Sequence, residues 1–419
     1  MFKQQMLNWG NQFNICCLLD NNNYPSACHQ YEALLAADAI DVLELPAGKA
    51  FDALLHFHQT QQDWLFGHLA YDLKNETIPG LRSDNHDGIG FPDMSFFRPR
   101  IVMFLRQQQV HIGGINLSQD EALTVFRDCL RMPVAVITPA APVLHPLHAR
   151  LDHGAYIRAV KDLQQHIRRG DCYEVNFCRE NYMEASGVYA PALYSQLNAL
   201  SPAPFAAYYK LAHRYLACSS PERFLQKRGQ TVISQPIKGT SRKDSDPATD
   251  QLLRDQLYHS PKERAENIMV VDLVRNDLSH TAVRGSVHVT ELCGIYSFAQ
   301  VHHMISTISA QVSSQTPFTS VISNAFPMGS MTGAPKIRVM ELIEEYEHTR
   351  RGLYSGAVGY ITPEGDFDFN VVIRSILYNA SDNYLSFQTG SAITFYSDPE
   401  KEWEECLLKA DAMTKTITC

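Results

Sequence analysis

Apolar and polar residues alternate with two different periods along the chain. Apolar runs at 100–105 and 109–112 are typical of β-strands. Farther on, apolar residues recur at helical spacing over 156–167, and Gly170 follows as a helix stop. The pattern therefore predicts strands that come before a first long helix.

Both kinds of element are predicted in the last third of the chain. Helices are expected over 335–346, with a proline in the first turn, and over 398–414. Between them, 356–361, 367–377 and 384–387 have the pattern of strands in antiparallel hairpins. Because helices and strands do not alternate regularly, we expect an α+β fold and not a doubly wound nucleotide-binding fold.

A proline-rich stretch between residues 132 and 152 is the clearest break in the chain, since proline interrupts helices and central strands. Its prolines are Pro133, Pro139, Pro142 and Pro146. We therefore divide the chain into an N-terminal region, 1–145, and a second domain, 150–415.

The composition limits the classes of partner. Hydrophobic residues make up 45% of the 419 residues and charged residues 19%, so the chain is expected to be folded. The formal net charge of −9 provides no polybasic surface, which argues against nucleic acid or an anionic membrane as the main partner. A small anionic substrate is still allowed, because a few local cations or a metal can bind it.

Cysteine usage and the N-terminus predict a cytoplasmic protein. None of the ten cysteines forms a Cys-x-x-Cys pair, so we expect reduced, mostly buried thiols. Polar residues interrupt the first 20 positions before a signal-peptide core can form. No apolar run reaches the roughly 20 residues that cross a bilayer, so we expect no membrane segment.

Two glutamate pairs are candidate metal ligands. Glu263 and Glu266 stand three positions apart, as do Glu402 and Glu405, so each pair shares one face of a predicted helix. Two such faces meeting would offer hard oxygen ligands suited to Mg²⁺. Glutamate pairs are also common on solvated helix surfaces with lysine or arginine partners, and spacing alone favours that simpler interpretation.

A loop at 326–336, rich in glycine, serine and threonine, leads into a predicted helix start. Exposed N–H groups and the helix dipole there would suit a carboxylate or a phosphate. A tight turn with Ser330 or Thr332 as the helix cap explains the loop equally well, and the spacing is not that of a Walker loop.

The remaining candidates are basic. Lys238, between a strand-like segment and a glycine, is a nucleophile if buried and an ordinary turn residue if exposed. Arg374 lies in the apolar run 371–376, so its guanidinium is expected to meet a structural carboxylate or a ligand. His302 and His303 are core histidines or a proton carrier, and the core interpretation is the simpler one.

Seven segments carry recognisable motifs. They are GDCYEVN at 170–176, SPERF at 220–224, PIKGT at 236–240, VDLVRNDL at 271–278, FPMGSMTGAPK at 326–336, RGLYSGAVGY at 351–360 and the stretch 398–410. In this order they resemble the chorismate-utilising enzymes, which include component I of anthranilate synthase and of aminodeoxychorismate synthase, and the isochorismate and salicylate synthases. The resemblance covers about 152–415, and the segment FGHLAYD at 66–72 is more weakly similar.

The resemblance implies a Mg²⁺ site. Glu266 and Glu405 match the ligands of the ion, and Glu263 and Glu402 match residues that hold metal-bound water. The ion would neutralise the ring carboxylate of chorismate and help its 4-hydroxyl leave, which makes Glu266 a catalytic residue as well as a ligand.

The resemblance also implies substrate contacts. His303 matches an active-site histidine near the leaving hydroxyl. The residues that match contacts to the two carboxylates are Thr240 and Lys409 for the ring carboxylate, and Tyr354, Arg374 and the Gly390 backbone for the enolpyruvyl carboxylate.

Lys238 distinguishes among the members of this family. By resemblance, a lysine here indicates aminodeoxychorismate synthase component I, in which the amine attacks C2 of chorismate and ammonia then adds at C4. Other members usually carry an apolar residue at this position, and isochorismate and salicylate synthases carry a lysine base where this chain has Glu174. Attack requires a neutral amine; burial and a nearby Mg²⁺ would lower the lysine pKa, and substrate carboxylates would raise it.

The implied fold is a sandwich of two large, orthogonally packed β-sheets flanked by helices. The N-terminal region resembles that of anthranilate synthase component I, and the second domain is the chorismate-binding catalytic domain. The chain leaves no room for a fused glutamine amidotransferase, so we expect component II to supply ammonia and the product to feed p-aminobenzoate and folate synthesis. Anthranilate synthase component I and a non-catalytic chorismate-binding homologue are the alternatives.

Overall fold

The strands of the computed structural model, which describes residues 1–24, 29–134 and 143–418, pair antiparallel with one another. The strands are β1 (Ile15–Asp20), β2 (Ala33–Leu45), β3 (Leu65–Leu69), β4 (Met94–Arg106), β5 (Gln109–Gly114), β6 (Val143–Leu144), β7 (His148–Ala149), β8 (Glu174–Ser186), β9 (Phe205–Leu211), β10 (Arg214–Ser220), β11 (Arg223–Arg228), β12 (Thr231–Gln235), β13 (Ile237–Arg242), β14 (His288–Ser297), β15 (Val301–Gln311), β16 (Gly333–Ala334), β17 (Ala357–Ile361), β18 (Phe367–Asn370), β19 (Ser375–Asn379) and β20 (Tyr384–Thr394).

Helices pack against these strands. They are α1 (Phe2–Gly10), α2 (Ala50–Gln61), α3 (Lys74–Thr77), α4 (Gln119–Arg131), α5 (His153–Arg169), α6 (Ala190–Leu200), α7 (Pro247–His259), α8 (Pro261–Ser279), α9 (Phe318–Ala325), α10 (Lys336–Tyr346) and α11 (Pro399–Thr418). In the described part of the chain, no helix combines the length and the apolar character that crossing a bilayer requires.

The strands form two runs that are joined to each other. One run is β5–β4–β2–β1–β9–β10–β19–β20–β8, and the other is β14–β15–β12–β11–β18–β17–β3. They meet where β3 pairs with β4 and where β10 leads directly into β11. The predicted α+β class is confirmed, and the buried apolar side chains between these elements form its core.

Strands of the N-terminal region are built into the same network as those of the catalytic region. β1 pairs with β9, from Ile15 opposite Leu211 to Asp20 opposite Ala206. β3 pairs with β17 from Leu65 opposite Ile361 to Leu69 opposite Ala357. The division at residues 145–150 stays a prediction, and Pro139 and Pro142 lie outside the described residues.

Most predicted elements are confirmed, with one informative exception. The helix expected over 156–167 is α5, which ends at Gly170 with a φ of +86°. The strand expected over 367–377 is instead two strands, β18 and β19, because the chain passes from one run to the other at 371–374. Arg374 has a φ of +52° at this passage, so it lies at a break between strands and not within one.

Candidate active site

The predicted site residues come together from both runs of strands and from α8 and α11. On β13, Thr240 lies opposite His303 of β15, and the Thr240 hydroxyl is 2.9 Å from His303 Nδ1. The register of this pair shifts between Ile237 and Thr240, which marks an irregularity at Lys238 and Gly239.

Gly239 allows α8 to approach β13 closely. Its φ is +95°, and a Cβ at this position would lie 3.1 Å from a carboxylate oxygen of Glu263. On the same helix, the Asn267 amide donates to the carbonyl oxygens of Lys238 and Met304, each at 3.2 Å. The first glutamate pair is therefore held beside the strand that carries Lys238.

Lys238 and Glu174 form a buried ion pair. The distance from Lys238 Nζ to Glu174 Oε1 is 2.7 Å, and the two side chains are 11% and 1% exposed, so Lys238 is not an exposed turn residue. Burial by itself would lower the pKa of Lys238, but Glu174, followed by Glu266 and Glu405, outweighs it and raises that pKa. The sequence analysis named burial, Mg²⁺ and substrate carboxylates as influences on this pKa but not Glu174, which stabilises the charged lysine and is placed to accept its proton.

The two glutamate pairs meet across α8 and α11. Lys262 lies between them, with its Nζ 3.8 Å from Glu266 Oε1 and 4.0 Å from Glu402 Oε1. Glu405, one turn before Lys409, accepts a bond from that lysine at 2.6 Å. The pairs therefore do not form two separate solvated surfaces.

Burial and mutual repulsion disfavour the ionised form of three of these four carboxylates. Burial, with Glu174 and Glu263 adding repulsion, raises the pKa of Glu266 to about 7. Burial and Glu405 likewise raise the pKa values of Glu263 and Glu402. For Glu405 burial acts upward, but Lys409 outweighs it and lowers the pKa.

The donor chemistry at this point fits Mg²⁺. Carboxylate oxygens that repel one another in a partly buried position are the hard ligands this ion prefers, and a cation would relieve their repulsion. Among residues 1–24, 29–134 and 143–418, no three acidic, histidine or cysteine side chains already converge as a metal-ligating group. The assignment of individual ligands stays a prediction.

Two cationic side chains, Lys409 and Arg374, also lie near Glu405. Lys409 donates to the Gly390 carbonyl at 2.8 Å in addition to its bond with Glu405. Within the described ranges, no carboxylate lies within ion-pair distance of Arg374, and burial lowers its pKa against the influence of Tyr354 and Glu405. The absence of a structural carboxylate beside Arg374 favours a ligand as its partner over an internal ion pair.

His303 is neutral in this setting. Burial, with the positive charges of Arg374 and Lys409, lowers its pKa to about 3, although a hydrogen bond to the Gly239 backbone acts in the opposite direction. It can therefore donate or accept a hydrogen bond at neutral pH without carrying charge. His302 beside it is fully buried and bonds Asp250 at 2.8 Å, as a core histidine does.

Comparison with known proteins decides the family. A model of chorismate binding enzymes matches residues 17–415. The chain belongs to this family.

Relatives of this chorismate binding enzyme include enzymes of more than one activity. It is 43% identical over 267 residues to a probable aminodeoxychorismate synthase of Oryza sativa, an alignment that covers 62% of this chain and 29% of that protein. It is 34% identical over 349 residues to aminodeoxychorismate synthase component 1 of Klebsiella aerogenes, covering 83% and 75%. Anthranilate synthase component I from Streptococcus pneumoniae has the same fold, with a TM-score of 0.81, 24% identity and 93% of each chain covered. The chain thus spans less than a third of the rice protein's length.

One acidic residue of this chorismate binding enzyme was missed by the analysis of its sequence. Glu222, in the SPERF motif, is buried, and its carboxylate accepts a bond of 2.6 Å from the Ser330 hydroxyl. Burial raises its pKa to about 7, against Ser330 and Lys238. A protonated carboxyl near neutral pH beside Lys238 is a candidate proton donor. The available signal in the sequence was an acidic residue inside the SPERF motif.

The loop at 326–336 does not serve as a capped helix start. Ser330 bonds Glu222, and the Thr332 hydroxyl donates to carbonyl groups of its own turn. Pro335 occupies the N-cap of α10, with no side-chain cap. The alternative in which Ser330 or Thr332 caps the helix was wrong, because the Ser330 hydroxyl bonds Glu222 outside the loop and the Thr332 hydroxyl bonds its own turn.

Glu222 gives a prediction about stability and pH. Because its pKa is raised on folding, its stabilising contribution is complete below the pKa of the unfolded chain, near 4.5, and is lost as pH rises through about 7. This shift in pKa corresponds to about 3 kcal/mol in the free energy of unfolding. We expect the Tm of Glu222→Gln to fall less between pH 6 and pH 8 than that of the wild type, measured by calorimetry; Glu341→Gln, an exposed change on α10, is the control. Equal pH dependence of Glu222→Gln and wild type would contradict the assignment.

Proposed function

We propose that this chain is the chorismate-aminating component of aminodeoxychorismate synthase, which converts chorismate and ammonia to 4-amino-4-deoxychorismate and water. The observation that carries the proposal is the Lys238–Glu174 pair beside the carboxylate groups and Arg374. The names of the rice and Klebsiella relatives support the same activity. A lysine nucleophile with an adjacent base allows amination through a covalent intermediate. Without them, water or ammonia would have to attack chorismate directly.

Glu174 activates Lys238 in this proposal. The 2.7 Å contact lets the ammonium pass a proton to the carboxylate, and the released amine is then a nucleophile. The raised pKa of Lys238 makes this transfer a necessary step, since the resting lysine is charged.

The proposed reaction then proceeds by two successive displacements. Lys238 Nζ forms a bond to C2, the ring double bonds shift, and the C4–O bond breaks; the oxygen leaves as water with a proton from Glu222. Ammonia next bonds to C4, the double bonds shift back, and the C2–Nζ bond breaks to release product and the lysine amine. The added nitrogen loses one proton, which restores Glu222, and Glu174 returns its proton to Lys238. No oxidant or reductant is required.

Cationic and polar side chains of the site orient the substrate in this proposal. Arg374 and Tyr354 bind the enolpyruvyl carboxylate together with the Gly390 backbone, and Lys409 and Thr240 contact the ring carboxylate. A Mg²⁺ held by Glu266 and Glu405, with Glu263 and Glu402 around its waters, would neutralise the ring carboxylate when bound. Neutral His303 offers a hydrogen bond near the leaving hydroxyl.

We further propose that a separate glutamine amidotransferase supplies ammonia and that the product enters p-aminobenzoate and folate synthesis in the cytoplasm. The name of the Klebsiella relative, component 1, supports a two-component enzyme. Free, buried cysteines throughout the described chain are compatible with a reducing compartment.

Product identity tests the proposal directly. We expect the purified chain, incubated with chorismate, Mg²⁺ and ammonium at alkaline pH, to form a product that retains the enolpyruvyl group by mass spectrometry. That product should yield p-aminobenzoate only after addition of a lyase. Anthranilate with free pyruvate would identify an anthranilate synthase instead, and chorismate binding without turnover would identify a non-catalytic homologue.

A further inference from the structure

The FGHLAYD segment of the N-terminal region holds a turn of the catalytic region. The Tyr71 N–H donates to the Gly352 carbonyl at 2.8 Å, and the Gly352 N–H donates to Asp72 Oδ2 at 2.9 Å. Arg350 Nε lies 3.1 Å from the same carboxylate oxygen. Asp72 is fully buried, so the turn at 350–352 is fixed by two backbone bonds and an ion pair from one short segment.

Arg351, at the centre of that turn, joins three further segments. Its side chain is 1% exposed, and its Nη1 donates to the Met331 carbonyl at 2.6 Å and its Nη2 to the Asn176 carbonyl at 2.7 Å. Glu347 accepts two more bonds from the guanidinium, at 2.7 and 2.9 Å. The guanidinium also lies over the Tyr71 ring, 4.5 Å from its centroid.

Two segments that Arg351 contacts lie next to residues of the site or their partners, and its own turn leads to a third. Asn176 comes two positions after Glu174, the partner of Lys238. Met331 follows Ser330, the partner of Glu222. Tyr354 is on the same turn as Arg351 and donates its backbone N–H to the Arg351 carbonyl.

The partner of Arg351 reinforces this arrangement. Glu347 also accepts the Cys178 N–H at 2.8 Å, and Cys178 Sγ lies 3.7 Å from the Tyr354 hydroxyl. The relative placement of Glu174, Glu222 and Tyr354 therefore depends on one buried junction.

We infer that Asp72 and Arg351 are positioning residues. Asp72 fixes the turn at 350–352, and Arg351 fixes the position of Tyr354 relative to the segments that carry Glu174 and Glu222. This inference rests on the proposed function, since it takes Tyr354 to contact chorismate. Neither residue needs to touch the substrate for this role.

The contacts of Asp72 and Arg351 allow a positioning role to be distinguished from a contribution to protein stability alone. In an Asp72→Asn variant, Arg350 keeps its ion pair with Asp93, and Lys74 keeps Glu344 at 2.7 Å. In Arg351→Lys the positive charge beside Glu347 remains, but one ammonium cannot reproduce the fork that reaches Met331 and Asn176 together. Small displacements of positioned groups cost rate even when a protein stays folded.

The test compares kinetic constants and Tm for wild type, Asp72→Asn and Arg351→Lys, with Asp38→Asn as the control. Asp38 pairs with Arg100 on the N-terminal region's surface and has no site contact. We expect kcat/KM for chorismate to fall about tenfold or more in both positioning variants, with KM raised, and to stay unchanged in the control.

Unchanged KM and kcat per folded molecule in both variants would overturn the inference, whatever happens to Tm. If Asp72→Asn does not fold, Arg351→Lys decides alone, and if neither folds, both residues are structural and the inference fails. If the wild type shows no turnover, the proposed function fails instead; calorimetric titration with chorismate then tests positioning by itself, and equal dissociation constants in all proteins overturn it.

Discussion

Replacement of Lys238 with alanine is expected to lower the rate of aminodeoxychorismate formation by roughly 10³-fold or more, while the protein stays folded. Alanine removes the attacking nitrogen and leaves Glu174 without its ion-pair partner. Lys238 is the only group proposed to bond to C2, so no other side chain replaces it. Product formation is measured by mass spectrometry and folding by calorimetry.

Two further variants test whether the loss of activity is specific to the Lys238 amine. Lys238→Arg keeps a positive charge near Glu174 but cannot lose a proton, so we expect it to be as inactive as the alanine variant. Lys227→Ala removes another partly buried lysine from an ion pair, with Asp366 at 3.0 Å, and should retain activity. Activity in Lys238→Arg would show that the charge and not a covalent bond is required, which would remove lysine attack from the mechanism.

Replacement of Glu266 with glutamine is expected to abolish Mg²⁺-dependent turnover without lowering stability in chelator. The ionised carboxylate is opposed by burial and by Glu174 and Glu263, so its neutral isostere removes a repulsion in the metal-free protein. The same change removes one of the proposed hard oxygen ligands of Mg²⁺. Titration calorimetry with Mg²⁺ should therefore lose its signal, and the increase in Tm on adding Mg²⁺ should disappear.

A neighbouring glutamate supplies the matched control for this prediction. Glu404 is exposed on α11 beside Glu405, so Glu404→Gln removes one charge from the same helix at a solvent-facing side chain. We expect normal Mg²⁺ affinity and turnover in that variant. Full activity of Glu266→Gln in chelator would refute the metal assignment.

The sequence singles out candidate site residues but does not reveal how they interact. Lys238 was identified from one motif, but its pKa direction depends on Glu174, which is 64 positions away in the chain. Local spacing carries no information about such a pair, because the contact exists only once β8 and β13 are assembled. The raised pKa values of the glutamate pairs likewise follow from α8 and α11 meeting.

Arg374 shows why some local structure could not be predicted. The run 371–376 is apolar enough for a continuous strand, and periodicity alone favours one. The chain instead leaves β18 and re-enters the network as β19, and the positive φ of Arg374 lies at that passage. Tertiary pairing overrides the local preference here, as is common for β-structure.

The pairing of β1 with β9 and of β3 with β17 has a consequence for biosynthesis. At about 5–20 residues per second, the partner of β3 leaves the ribosome on the order of tens of seconds after β3 itself. During that interval the early strands have open edges, which invite pairing with other nascent chains. Folding should therefore be slow and dependent on long-range contacts, and yield in the cell should respond to translation speed and chaperone supply more than the stability of the finished protein suggests.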